Sequence, residues 1–155
     1  MGIEEKLVKL GLTLPPPFQY PSPNRTGCVQ VDNLLFVSGH GPAEIPGVKM
    51  SGKVGGDVSE EEGRKVAQAA ALSILSSIKQ QIGDLNKVRR VVKILGMVNS
   101  APGFNRQFAV IDGASDLFLE LWGPEYGQHA RAAVGMFELP RRIPVEVEGI
   151  FELHP

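Results

Sequence analysis

Hydrophobic and polar positions follow two periods along this chain, and the switches between them mark its elements. The clearest signal is a helical stripe in which Val66, Ala70, Ile74 and Ile78 recur every four residues, widened by Ala67, Ala71, Leu75 and Ile82. Ser59 and Glu62 form a capping box ahead of it, Glu60 and Glu61 suit the positive first turn, and Gly83 supplies a stop, so a helix is predicted over Glu60–Ile82. The last quarter has period two. Val145, Val147, Gly149 and Phe151 share one side of a ribbon, and Glu146, Glu148 and Ile150 share the other. This predicts a strand over 144–152, preceded by a second strand-like run over 131–138.

Elsewhere the pattern is weaker but readable. Val88–Asn99 is a long apolar strand whose Arg89, Arg90 and Lys93 reach solvent. Residues 104–121 read as a second long helix closed by Gly123-Pro124, although Gly113 inside it costs about 1 kcal/mol. Asp112, Gly113, Ser115 and Asp116 make its middle oddly polar and thin, as an exposed face with a tight helix crossing at Gly113 would require. Residues 27–31 and 34–38 form a hairpin about the turn pair Asp32-Asn33. Ile3, Leu7 and Leu10 line a short amphipathic helix that must dock on the domain or fray, and Pro15-Pro16-Pro17, Pro21 and Pro23 follow as a stiff connector. Residues 43–56, rich in glycine, read as a surface excursion with a short strand near Lys53.

Hairpin, helix, strand, helix and two strands make an α+β plan, with two helices packed on one face of a mixed or antiparallel sheet. The other face lacks a cover within the chain, and a closed oligomer with pockets at its seams would supply one.

Composition changes this picture little. The 155 residues fit one domain, and a hydrophobic fraction of 43% with a charged fraction of 21% is ordinary for soluble globular proteins. Sixteen basic and seventeen acidic residues give a net charge of -1, so no global field recruits nucleic acid or an anionic membrane. No apolar run approaches the ~20 residues of a membrane helix. The first ten residues carry acids where a secretory signal carries bases, and the single cysteine suits a reducing compartment, so a cytoplasmic location is expected.

Candidate chemistry is sparse. His40, His129 and His154 are scattered without metal-ligand spacing, and neither a metal nor a cofactor is expected. Cys28 in a hairpin strand reads as a small buried hydrophobe, and Ser38 lacks the context of a hydrolase nucleophile. What remains is Arg131 opening one strand, the glutamates of the next, and the glycine-bearing loop Ser38-Gly39-His40-Gly41-Pro42. If the two strands are neighbours, a cation and an anion lie close enough to bracket a small carboxylate-bearing molecule. The competing reading is a structural ion pair.

At these residues the chain resembles the RidA (YjgF) proteins, also labelled L-PSP endoribonucleases. The resemblance rests on LLFVSGHGP (34–42), GDLNKVRRVVKILGMVNS (83–100) and HARAAVGMFELPRRIPVEVEGIF (129–151). It implies a chorismate-mutase-like α+β fold of ferredoxin-like order and a homotrimer with clefts between subunits. The related domain would span 26–155, with residues 1–25 and the 43–56 loop as additions.

The implied activity is deamination of the 2-iminobutanoate/2-iminopropanoate type. Reactive enamines and imines such as 2-aminoacrylate would be hydrolysed to 2-keto acids and ammonia without a cofactor. The resemblance gives Arg131 the substrate carboxylate and Glu148 the attacking water, with Ser38, Gly39, His40 and Ala133 lining the cleft. Ala132 and Ala133 replace the serine and cysteine usual after that arginine. The aromatic hydroxyl usual near the N-terminus of active deaminases is unassigned, Tyr20 being nearby in the proline-rich segment. A non-catalytic trimeric binder of keto or amino acids is the alternative. RNA cleavage, suggested only by the older label, finds no basic-aromatic face or histidine pair to support it.

Overall fold

The computed structural model describes all residues, 1–155. Its elements in chain order are α1 (Ile3–Lys9), β1 (Cys28–Val31), β2 (Leu34–His40), α2 (Glu60–Ile82), β3 (Val88–Asn99), α3 (Gln107–Tyr126), β4 (Ala130–Met136) and β5 (Val145–Leu153). The five strands form one mixed sheet in the order β1-β2-β5-β3-β4, antiparallel except for the parallel pair β3–β4.

Helix α2 has the boundaries its stripe and caps dictate. The Ser59 hydroxyl accepts from the Glu62 amide at 3.1 Å, Glu62 accepts from the Ser59 amide at 2.9 Å, and Gly83 closes the helix at φ 83°. Val66, Ala70, Ile74 and Ile78 are fully buried against the sheet. Helix α3 starts later than its pattern suggests and runs on to Tyr126, bending where Gly123 adopts φ 73° ahead of Pro124. The close crossing read at Gly113 is present. A Cβ there would lie 2.9 Å from the carbonyl carbon of Arg64 on α2, so only glycine lets the two axes approach this closely.

Three helices pack on the sheet, not two. Ile3 and Leu7 of α1 are buried in the common core, and the Ile3 amide donates to Asn86 Oδ1 at 2.9 Å. The 43–56 segment is less of an excursion than its composition implies. Val54 is fully buried and bridges to Ser100, and Val58 just beyond the segment is buried as well.

One face of the sheet lies under the helices and the other is open. Ile94 on β3 pairs with Gly149 on β5 and with Arg131 on β4, so these three share the helix-side row. Leu95 pairs with Glu148 and Ala132, placing those two on the open face. The strands carrying Arg131 and Glu148 are therefore not neighbours. β3 separates them, because a short connection after a parallel β4 returns β5 to the far side of β3. No helix of the chain is long and apolar enough to cross a membrane.

Candidate functional site

The expected set of site residues divides into three groups. Arg131 rises from β4 toward α3, where its Nη1 donates to Asp112 Oδ1 at 2.7 Å and to Ser115 Oγ at 3.1 Å. Its charge is met by a carboxylate of its own chain. This is the structural ion pair of the competing reading, with an aspartate from a helix in place of a strand glutamate. The polar middle of α3 is explained by the same contacts, since Asp112 and Ser115 face Arg131 and Asp116 pairs with Arg64. Ala133 lies on the same face as Arg131, opposite Gly96 and against the core. Glu148 is exposed on the open face beside Lys93, Leu95, Ala132 and Ile150, bordering a hollow of about 270 Å³.

Ser38, Gly39 and His40 stay together at the end of β2, where the β2–β5 register breaks between Val37 and His40. A bulge at this point turns the backbone outward. The glutamate beside it is Glu146, two residues before Glu148. A Cβ at Gly39 would sit 3.0 Å from Glu146 Cδ, so the glycine makes room for that carboxyl group.

Around Glu146 lies a cleft of about 290 Å³. Its walls are the proline-rich segment with Phe18, Tyr20 and Arg25, the Gly39–Ala43 loop, Ser73 of α2, and Arg141 and Ile143 from the turn before β5. Burial, reinforced by the neighbouring Glu148 charge, pushes the Glu146 carboxyl above the usual carboxylate range. Burial also raises the Tyr20 phenol, an effect opposed by the Ser38 hydroxyl beside it, and Glu146 is close enough to act on the phenol electrostatically. Tyr20 is fixed by an edge-to-face contact with Phe18 at 4.9 Å and by Arg25 stacked at 5.5 Å from its ring.

His40 contributes shape to the cleft rather than a free imidazole. Its Nδ1 faces the Ser38 carbonyl at 2.5 Å and must carry the proton, leaving Nε2 to accept from Ser77 at 2.6 Å. With its ring 3% exposed, burial holds its pKa below the ordinary value.

Arg141 adopts φ 55°, and Arg142 follows at φ 56°, in a left-handed turn that non-glycine residues rarely enter. The turn directs Arg142 to Asp57 at 3.5 Å, while Arg141 lines the cleft with no carboxylate within ion-pair distance. Among the residues lining this cleft, Arg25 and Arg141 are not singled out by the sequence, Glu146 stands there only as one of two strand glutamates, and Tyr20 only as an unassigned aromatic near the N-terminus. Glu146 and Glu148 share a strand face and differ only in position along it. A bulge in the neighbouring strand β2 decides which one meets a loop, and periodicity carries no trace of that.

A five-stranded mixed sheet with helices on one face and a polar cleft at a bulged strand end defines the α+β, chorismate mutase-like class. Residues 4–142 match the profile of the YjgF/chorismate mutase-like endoribonuclease family, and the chain belongs to that family, as its sequence motifs indicate. It is 40% identical over 152 residues to Protein TCP17 of Trypanosoma cruzi, covering 98% of this chain and 94% of that one. Among solved structures it resembles Atu1372 of Agrobacterium tumefaciens (42% identity, TM-score 0.88, covering 98% of this chain and 92% of that one). It also resembles a Shewanella oneidensis protein (28% identity, TM-score 0.91, covering 99% and 100%).

Proposed function

We propose that the cleft around Glu146 binds a small carboxylate-bearing enamine or imine of the 2-aminoacrylate type and hydrolyses it to a 2-keto acid and ammonia. The observation that carries this reading is a half-buried carboxyl group, raised in pKa, facing a pocket that also holds two guanidinium groups without carboxylate partners. Arg141, with Arg25 beside it, grips the substrate carboxylate through charge-assisted hydrogen bonds. Water adds to the C=N carbon while Glu146 takes its proton. The carboxyl returns that proton to nitrogen, giving a carbinolamine. It then carries the hydroxyl proton to nitrogen as the C–N bond breaks, so the carbonyl forms as ammonia leaves. A group titrating above the usual carboxylate range suits both transfers. The Tyr20 hydroxyl orients the water or the nitrogen, and the substrate's own reactivity leaves positioning as the main demand.

The homotrimer belongs to the proposal as well. The open sheet face presents Phe36, Leu95, Ala132 and Ile150 around a hollow beside the cleft, and a second copy would cover it. Arg131 and Glu148 enter the deaminase reading only if such a copy brings them to the cleft from outside.

The test is to generate 2-aminoacrylate with a serine dehydratase and follow keto-acid release with and without the protein. Acceleration that is lost in Glu146→Gln supports hydrolysis. Keto-acid binding without acceleration would instead establish the binder reading, which the tethering of Arg131 by Asp112 favours.

A further inference from the structure

The hydrogen bonds around Ser115 leave that residue in an arrangement deamination does not use. Ser73 and Ser76, inside α2, return their hydroxyls to the carbonyls four residues back, at 3.2 and 3.1 Å. Ser115, inside α3, instead meets His129 Nε2 at 3.0 Å. The His129 tautomer follows from its other nitrogen: Nδ1 lies 2.6 Å from the Gly127 carbonyl, which only accepts, so Nδ1 carries the proton. Nε2 is then a lone pair, and the Ser115 hydroxyl donates to it. Phe118 fixes the imidazole edge-to-face at 6.0 Å. Burial, with Arg131 nearby adding to the effect, holds His129 below its ordinary pKa, so it is a neutral base at pH 7.

A nucleophile, a base aimed at it and a group orienting the base make a catalytic constellation only if substrate can reach them. Here a cavity of about 210 Å³ is lined by Ser115, His129, Arg131 and Gln128. It lies on the β4 side of the sheet, with β3 and β5 between it and the Glu146 cleft. Arg131 Nη1 also donates to Ser115 Oγ, which stabilises a developing alkoxide, and Nη2 has only a long 3.4 Å contact with the Phe108 carbonyl.

We infer that Ser115 and His129 form a second catalytic site that transfers acyl groups from small carboxylic esters. As Ser115 Oγ bonds to the ester carbonyl carbon, its proton passes to His129 Nε2, and the oxyanion forms beside Arg131 Nη2. The carbon–alkoxide bond breaks, the alkoxide takes the proton from Nε2, and an acyl-serine remains. Water then attacks the acyl carbon, losing a proton to Nε2. Collapse returns that proton to Ser115 and releases the acid.

His40 and Ser77 repeat the hydrogen-bond pattern at 3% and 5% exposure, too buried for substrate, and so provide an internal control. The experiment mixes the full-length protein with p-nitrophenyl acetate and measures the nitrophenolate burst, with intact-mass and peptide analysis of the acyl adduct. The expected result is a burst approaching one equivalent, an acetyl group on Ser115, and loss of at least ten-fold in burst rate in Ser115→Ala and in His129→Phe. Ser77→Ala keeps the burst. Circular dichroism verifies that each variant is folded, and Ser115→Cys should retain thioester formation if His129→Phe proves unstable. The burst rate should rise with pH through a midpoint below the ordinary histidine value. Absence of a burst in the folded wild-type protein, a burst unchanged in Ser115→Ala, or acetyl groups found only on other residues overturns the inference.

Discussion

Replacing Gly113 by alanine tests the packing that holds α3, and with it Ser115 and Asp112, against the rest of the domain. The added Cβ would lie 2.9 Å from the Arg64 carbonyl carbon and closer still to its oxygen, a contact with backbone that no rotamer change relieves. Helices α2 and α3 must part by on the order of 1 Å, loosening the fully buried Val66, Ala67, Ala70, Val110 and Ala114 around the crossing. Alanine returns about 1 kcal/mol of helix propensity, and overpacking ordinarily costs about 1–3 kcal/mol, toward or beyond the upper end when backbone is struck. The net is a destabilisation of about 2 kcal/mol, which for a chain of this size lowers Tm by roughly 4–8 °C. Thermal unfolding by calorimetry, with exposed Glu120→Ala on the same helix as a control within about 0.5 kcal/mol, measures it. A Gly113→Ala protein with unchanged or raised Tm would refute the claim that this glycine exists for close approach.

Glu146→Gln should reduce the turnover of an imine substrate by about a hundred-fold or more while changing its binding far less, as steady-state kinetics would reveal. The same substitution carries a stability signature. A carboxyl group raised in the folded state has its stabilising protonation below the unfolded pKa and loses it as pH rises through the folded value. Glu146→Gln should therefore gain stability over wild type at pH 7 and lose that advantage near pH 4 in denaturant titrations; an advantage independent of pH counts against a buried, ionising Glu146. Arg131→Ala breaks the Asp112 pair and should cost about 1–2 kcal/mol in chemical denaturation. Sedimentation of variant and wild type compares their oligomeric states, and a variant with unaltered stability would argue against the ion pair. Cys28, buried and with its thiol pushed up to about 11, should resist aromatic disulfide reagents in the native state and react once on unfolding. Rapid native labelling would place the thiol at the surface.

Local signals in the sequence determine most of the elements. The capping box and Gly83 give α2 both its ends, and the long, mostly apolar run gives β3 its extent, because caps and periodicity act over a few residues. Even the thin middle of α3 is legible as a close crossing at Gly113.

Strand order is not local. Arg131 and Glu148 stand on consecutive strands, yet β3 inserts between those strands and leaves the two side chains on opposite faces of the sheet. Side-chain alternation states which residues share a face of one strand and is silent on which strand lies next to it. The same gap left no ground for choosing Glu146 over Glu148, because only the bulge at the end of β2 and the left-handed turn at Arg141 bring Glu146 together with Tyr20 and Arg25. The sequence by itself determined the helices, the strands and the family. Tertiary structure alone decided which charges meet, since a contact between residues more than a hundred positions apart depends on how every intervening element packs.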